Sequence, residues 1–550
     1  MRTHDVSNQV PPLEGHDVLA CDTALSEAVE RWVQPHNADA AASLSELGRS
    51  AGSAEARHWA DQADRVTPVL RTHSPTGERL DEVEYHPAYH RLMESAVGAG
   101  LTAEPWTRPS GSGAHARRAA GFVVWSQVEA GHLCPVSMTY SAAPALAGAP
   151  DVAAGWLPGL ASRSYDPVLR PRSTKAGLTL GMGMTEKQGG SDVRANTTRA
   201  VATPGGPLEG ETYRLTGHKW FCSAPMSDGF LVLAQAPGGL TCFLLPRVLD
   251  DGTRNELRLQ RLKDKLGNRS NASSEIELDE AWAVRVGDEG RGVRTIIDMV
   301  ASTRLDCVLG STATMRAALV RAVHHARHRS AFGARLVDQP LMRAVLADLA
   351  LESEAATVLA MRLAHAVDSG EHELARLGVA LGKSWVCKRT PAMVAEALEC
   401  LGGNGYVEEN GLARLYREAP LNSIWEGSGN VNALDVLRAV TRQPESLAAL
   451  GKELALARGH DRALDAAIDR CEAAGAAALA EDAPWGARRL VELLAVTLQA
   501  ALLVRYSPGP VADAFIASRV RGEHGAVFGT LEPAVAQSVS PVLLERALRD

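Results

Sequence analysis

The chain lacks most of the features that commit a sequence early to one compartment or one nucleotide fold. Its eight cysteines (Cys21, Cys134, Cys222, Cys242, Cys307, Cys387, Cys400 and Cys471) show no C-x-x-C spacing. That argues against a disulfide framework and a zinc site, and for a reducing compartment. The N-terminal residues Met-Arg-Thr-His-Asp-Val-Ser have no apolar core, so no secretory leader is expected. The most apolar helical stretch, Leu490–Val504, is broken by Glu492 and Gln499 and reads as a core helix. Neither G-x-x-x-x-G-K-[ST] nor a strand-linked G-x-G-x-x-G occurs, which removes the usual phosphate-loop and dinucleotide folds. His324 and His328 have metal-ligand spacing, but H-E-x-x-H is missing and Arg329 stands beside them, so no metal is expected. No fixed-period repeat is present. A net charge of −8 excludes a wholly basic nucleic-acid coat while leaving room for a local basic face.

What is present is ordinary globular composition: 550 residues, 45% hydrophobic and 22% charged. That length suggests roughly three or four domain-sized units, here in a soluble, cytoplasmic protein. Residues 1–20 are polar, with Pro11-Pro12, and read as an arm. From 21 to 181 the pattern is mainly helical and includes an apolar helix through Ala119–Val128. From 182 to 290 it turns to strands. Phe230–Ala234 and Thr241–Leu245 flank Pro237-Gly-Gly as a strand pair, and Ser274–Leu278 alternates. From 291 to 440 the apolar stripes return at helical spacing (Val293, Ile296, Ile297, Val300; Leu341, Val345, Leu349), as a helix bundle requires. The remainder, 441–550, is an Ala/Leu-rich helical module. Its last helix is expected to start at Ser540-Pro541, a cap followed by proline.

Two stretches carry chemistry. Gly181–Asp192 (Gly-Met-Gly-Met-Thr-Glu-Lys-Gln-Gly-Gly-Ser-Asp) is a glycine-rich turn with hydroxyls at Thr185 and Ser191, able to aim backbone N–H groups at a polar ligand. Trp425-Glu426-Gly427-Ser428-Gly429-Asn430 sets one carboxylate among glycines beside an indole. Glu426 is either a polar loop residue or a general base whose neighbours desolvate it and raise its pKa. Trp220 and Phe221 are either core aromatics on a strand or a platform for a flat ring.

The resemblance of these blocks to a known family is specific. Thr185-Glu-Lys-Gln-Gly-Gly-Ser-Asp192, Lys265-Leu-Gly-Asn-Arg269-Ser, Arg329-Ser-Ala-Phe332-Gly333 with Gln339, Leu401-Gly402-Gly403-Asn-Gly405-Tyr406 and Trp425-Glu426-Gly427-Ser428 resemble the acyl-CoA dehydrogenase family's signatures. They stand in the family's order across residues 90–440. Gly183–Val193, Leu262–Ser273 and Pro420–Asn430 further resemble the AidB branch, adaptive-response flavoproteins associated with protecting DNA from alkylation, and that likeness covers nearly the whole chain.

The resemblance implies a mainly α fold: an N-terminal helical domain, a β-barrel-like middle domain and a four-helix bundle, extended by a C-terminal helical domain. It implies FAD and a homotetramer. By position, Met182, Met184, Thr185, Gly190 and Ser191 line the flavin, and Phe221 and Ser223 contact its ring. Arg329, Phe332 and Gln339 reach a neighbouring subunit's FAD, and Gly402, Gly403, Ser428 and Asn430 close the site. Glu426 matches the base that removes the α-proton of an acyl-CoA. The family's second position for that base is Thr303 here, which leaves Glu426. Two departures stand out: Lys187 replaces the signature's proline, with Gln188 after it, and Ala301 replaces an acid that some relatives use toward CoA.

The resemblance further implies that the C-terminal module serves double-stranded DNA, with Arg438 just before it and Arg519 and Arg521 within it as the favoured basic positions. Read from the residues alone, it fits a solvated mixed-charge surface as well, because Asp461, Asp465, Asp469 and Glu472 lie among its cations. Three functions follow. One is an FAD-containing, DNA-associated protein that limits alkylation damage with weak or unassigned dehydrogenase activity. Another is a metabolic acyl-CoA dehydrogenase whose tail is only structural. The third is a flavoprotein scaffold that retains FAD structurally and does neither.

Overall fold

A computed structural model describes residues 3–203, 211–480 and 482–549. The chain divides into two compact units, each assembled from separated segments. One unit comprises Glu55–Pro109 and Glu129–Thr303, and the other Met1–Ala54, Ser110–Val128 and Arg304–Asp550.

The first unit holds the sheet. A hairpin of β1 (Val69–His73) and β2 (Arg79–Glu84) interrupts the helical region, a feature absent from the sequence expectation. Its strands are short and mostly polar, with none of the apolar alternation that marks a half-buried strand. The main sheet contains β3 (Leu180–Gly183), β4 (Arg199–Ala202), β5 (Thr212–Ser223), β6 (Gly229–Ala236), β7 (Gly239–Pro246), β8 (Leu257–Leu262) and β9 (Ser273–Val286). Pairing runs β6–β4–β5–β9–β7 and returns from β7 to β6, so the five strands close a circuit, with β3 and β8 added outside it. Closure removes exposed strand edges. Inside lie Leu215, Phe230, Val232, Phe243, Leu245, Leu259 and Ile276, all at most 1% exposed. The β6–β7 hairpin and the β9 strand fall on the stretches the alternation marks.

The second unit is helical. Helix Gly292–His328 enters it at Arg304 and is followed by Pro340–Asp368 and His372–Glu399. The apolar helix Ala114–Ser126 is buried along nearly its whole length. Its N-terminus is capped across the fold by Asp368, whose carboxylate accepts from the amides of Gly113 (2.8 Å), His115 (2.6 Å) and Ala116 (3.1 Å). Arg118 on the same helix forms a buried bidentate pair with Asp306.

The C-terminal module adds Pro444–Ala455, Arg462–Ala477, Ala483–Tyr506, Gly509–Phe515 and Pro533–Ala547. The last helix does not start at Ser540. It begins at Pro533, where the Glu532 side chain accepts from the amides of Ala534 and Val535, and Pro541 sits inside it. A glutamate can cap as an aspartate does when its carboxylate folds back, and here the earlier Glu-Pro pair takes the role. No described helix is long and apolar enough to cross a membrane.

Candidate active site

In the sheet unit the site begins with Glu186. It is fully buried, and its carboxylate accepts from Lys219 Nζ (2.7 Å), the amide and hydroxyl of Thr197 (2.6 and 3.0 Å), the amide and hydroxyl of Thr198 (3.1 and 2.6 Å) and Gln188 Nε2 (2.8 Å). Burial pushes the carboxyl pKa up, but Lys219 and these donors outweigh it and hold Glu186 well below the usual carboxylate range. The glutamate of the signature is therefore a clamp that fixes the turn after β3. The departure at Lys187 and Gln188 now has a physical role. Gln188 ties Glu186 to the carbonyl of Ala195. The amide of Lys187 donates to His218 Nε2 at 3.0 Å, a bond a proline could not make.

Around this clamp, Met182, Met184 and Thr185 are half-buried, and Ser191 is exposed. Gly190 lies so close to Thr185 that an added Cβ would meet its Oγ1 at 2.3 Å. The β5–β9 register slips between Lys219 and Cys222, so one extra residue bulges at Trp220–Phe221. Bulges re-aim side chains, and here Phe221 is 51% exposed on the strand that leads to Ser223. Lys263 Nζ sits 3.2 Å from the Trp220 ring centre and 4.8 Å from that of Phe221. A half-exposed Phe221 ring with hydroxyls at Thr185, Ser191 and Ser223 fits a flat, heteroatom-rich ring such as a flavin.

In the helical unit the key residue is Glu426. It is half-buried and adopts a left-handed φ of 57°, followed by Gly427 at φ 96°. A non-glycine residue held there costs on the order of 1–3 kcal/mol, and such strain clusters at functional sites. The surroundings hold it. Arg304 Nε donates to the Glu426 carbonyl (3.0 Å), while Lys383 Nζ (2.9 Å) and Asn432 Nδ2 (2.5 Å) donate to that of Gly427. A Cβ on Gly427 would meet Val431, Asn432 and Arg304 within 3.4 Å. Arg304 is anchored by Asp435, which Arg376 also grips. Burial raises the Asp435 pKa, but Arg376 and Arg304 more than reverse this and hold it below its ordinary value. Beyond the clamp, Ser428 is the N-cap of helix Gly429–Arg442, and Asn430 Oδ1 accepts from Arg488 at 2.9 Å.

Arg304, Asp435, Lys383 and Asn432 were missed by sequence reasoning. The only local signal is a basic residue after Thr303, because Arg304, Asp435 and Lys383 find partners 44 to 131 positions away, while Asn432 turns back on Gly427 five positions before it.

Arg329, Phe332 and Gln339 come together in one hairpin, β10 (Ser330–Ala331) with β11 (Ala334–Arg335). Phe332 and Gly333 at its tip both have positive φ (53° and 82°), the geometry of a tight two-residue turn. Gln339 Nε2 ties the hairpin to the Ala331 carbonyl at 2.8 Å. The N-terminal arm is pinned here too: the Asn8 carboxamide pairs with the Ser330 backbone through two 2.8 Å bonds, and Arg329 donates to the Asn8 carbonyl. Gly402 and Gly403 lie exposed past helix His372–Glu399, with nothing within 4 Å of an added Cβ.

The favoured basic positions divide. Arg438 is 60% exposed, and Arg521 is partly exposed and paired with Asp461. Arg519 corrects the expectation. Its side chain is 7% exposed and its Nη2 donates to Asp348 and Glu352, so burial keeps a DNA phosphate from it. It clamps the module onto helix Pro340–Asp368. Among the described residues no acid–histidine–cysteine cluster suits a metal ion.

Three family models match successive parts of the chain. They are the adaptive response protein AidB N-terminal domain over residues 8–167, the acyl-CoA dehydrogenase middle domain over 181–281 and the acyl-CoA dehydrogenase C-terminal domain over 290–441. The chain belongs to the acyl-CoA dehydrogenase family, in its AidB branch. It is 45% identical to the AidB protein of Escherichia coli (strain K12) over 94% of both chains. It is 32% identical to acyl-CoA dehydrogenase family member 11 of Caenorhabditis elegans, over 80% of this chain and 73% of that one. The crystal structure of C. elegans ACDH-11 in complex with C11-CoA superposes with a TM-score of 0.84 at 27% identity, covering 100% of this chain and 94% of that one.

Proposed function

We propose that this chain is an FAD-dependent oxidoreductase that oxidises an acyl-CoA-like thioester, with Glu426 as the base. The observation that carries this reading is the strained Glu426 loop, whose backbone is fixed by Arg304, Lys383 and Asn432. A base that removes a weakly acidic C–H proton must be held in reach of it and shielded from water. Three charged or amide side chains devoted to two carbonyls meet the first demand, and half-burial serves the second. FAD supplies the two-electron acceptor. Met182, Met184, Thr185, Gly190, Ser191, Phe221 and Ser223 would hold its ring, and Arg329 offers the fixed cation a pyrophosphate needs. Ser428, Asn430, Gly402 and Gly403 complete the cofactor positions on the helical unit. The C11-CoA complex of the C. elegans relative supports a medium-length acyl thioester as ligand.

The protein works as a homotetramer in which Arg329, Phe332 and Gln339 serve a neighbour's cofactor. Phe332 at 101%, Leu341 at 84% and Tyr406 at 83% exposure support this, since large apolar side chains left bare in one chain mark an association surface.

Kinship with AidB supports a second activity, association with double-stranded DNA that limits alkylation damage. Arg438 and Arg521, joined by the exposed Arg488 and Arg489, are the cations it would use. A specific observation favours the alternative of a structural tail. Arg505 pairs with Glu453, Arg519 with Asp348 and Glu352, and Arg546 with Glu27 and Glu354, so these arginines hold the fold. Two measurements decide. Anaerobic mixing with C11-CoA should bleach the bound flavin, and a protein that holds FAD yet is reduced by no acyl-CoA refutes the oxidoreductase reading. Duplex DNA should bind at low salt, and no binding by the intact FAD-loaded oligomer leaves the structural-tail reading.

A further inference from the structure

The loop between β8 and β9 holds a lysine that no part of the proposed reaction uses. Lys265 Nζ donates to the carbonyl of Asn271 at 2.6 Å and to Ser273 Oγ at 3.1 Å. Ser273 Oγ in turn lies 3.3 Å from Ser223 Oγ. Ser273 is 6% exposed and opens β9, directly opposite Ser223 at the end of β5, with Ser274 Oγ holding the Cys222 carbonyl (2.8 Å) beside them.

An ammonium has donors only, so Ser273 Oγ must accept from it. The positive charge also turns the Ser273 hydroxyl dipole so that its hydrogen points away from Lys265, toward Ser223. Ser223 Oγ then accepts, and its own hydrogen is left to point outward. A hydroxyl free to rotate can greet a donor or an acceptor equally; this one is biased to donate. Hydrogen bonds of this kind, backed by a charge in a partly buried site, polarise one another along the chain.

We propose that Lys265 and Ser273 are positioning residues that lock Ser223 as a hydrogen-bond donor toward an acceptor atom of the flavin ring. This inference rests on the reading that Ser223 faces that ring. It assigns the lysine of the Lys265–Ser270 block an electronic task, distinct from holding the loop.

The test uses the full-length FAD-loaded protein with Lys265→Met, Ser273→Ala, the double variant and Lys265→Arg. Each of the first two should weaken FAD binding about tenfold, as expected for one lost charge-backed hydrogen bond, and should shift the visible absorption band of the bound flavin. The double variant should be no worse than either single one, because both cut the same chain. Lys265→Arg should restore the spectrum. Single variants that lower the melting temperature but leave the flavin spectrum and affinity at wild-type values would overturn the relay, as would additive losses in the double variant. Wild-type protein that takes up no FAD would instead overturn the flavin reading beneath it.

Discussion

Glu186 and Glu426 show how the same side chain is put to opposite uses. Glu186 accepts bonds from Lys219, Gln188 and two threonines and has no capacity left for a substrate. Replacing it by Gln leaves the Lys219 ammonium buried against a neutral amide, which should cost about 3–5 kcal/mol and lower the melting temperature before any effect on chemistry. Because its folded pKa lies below the unfolded value, its contribution is fully present above roughly pH 4.3 and is lost as pH falls through the folded pKa. Acid unfolding followed by circular dichroism should thus start at lower pH in wild type than in Glu186→Gln, and the gap between the two should close as pH falls through the folded pKa. Asp435, also depressed, acts in the same direction on the Glu426 clamp.

At the scale of elements, the β10–β11 hairpin concentrates two liabilities, a bare phenylalanine and a non-glycine left-handed φ, at one position. Asn tolerates that conformation better than Phe. Phe332→Asn should therefore leave the isolated chain at least as stable while weakening assembly, measured by sedimentation velocity over a dilution series. How much of this was legible follows the range of the signal. The β6–β7 hairpin, strand β9 and the bundle helices are written in local apolar periods. The β1–β2 hairpin is not, being short and mostly polar. The final helix was misplaced because Ser540-Pro541 carries the same local mark as the true start at Glu532-Pro533. Signature matching pointed to Glu426, but the clamp around it joins Arg304 to Asp435 and Lys383 to Gly427, pairings that no local pattern encodes. Residues 1–20 read only as a polar arm, and nothing local encodes the bonds that Asn8 and Pro11 make to Ser330 and His324.

On the scale of the whole molecule, the arginines at 438, 519 and 521 are where net charge and usable charge part company. Arg519 is consumed by two buried acids, whereas Arg438 stays exposed. In the DNA-associated reading, Arg438→Ala should weaken duplex binding uniformly across sequences and reduce the slope of log K against log salt by about one. Arg519→Ala should lower thermal stability and leave that slope unchanged. A slope altered by Arg519→Ala alone, at unchanged stability, would contradict the burial seen here.

Glu426 is the centre of the proposed chemistry, and single-turnover reduction of the FAD-loaded protein by an acyl-CoA, comparing wild type with Glu426→Gln, tests its role most directly. The variant keeps the loop and should keep its flavin. Its rate of flavin bleaching should fall by about 10²–10⁴-fold, the contribution of a positioned general base. Equal rates in the two proteins, with equal FAD content, would show that Glu426 is not the base.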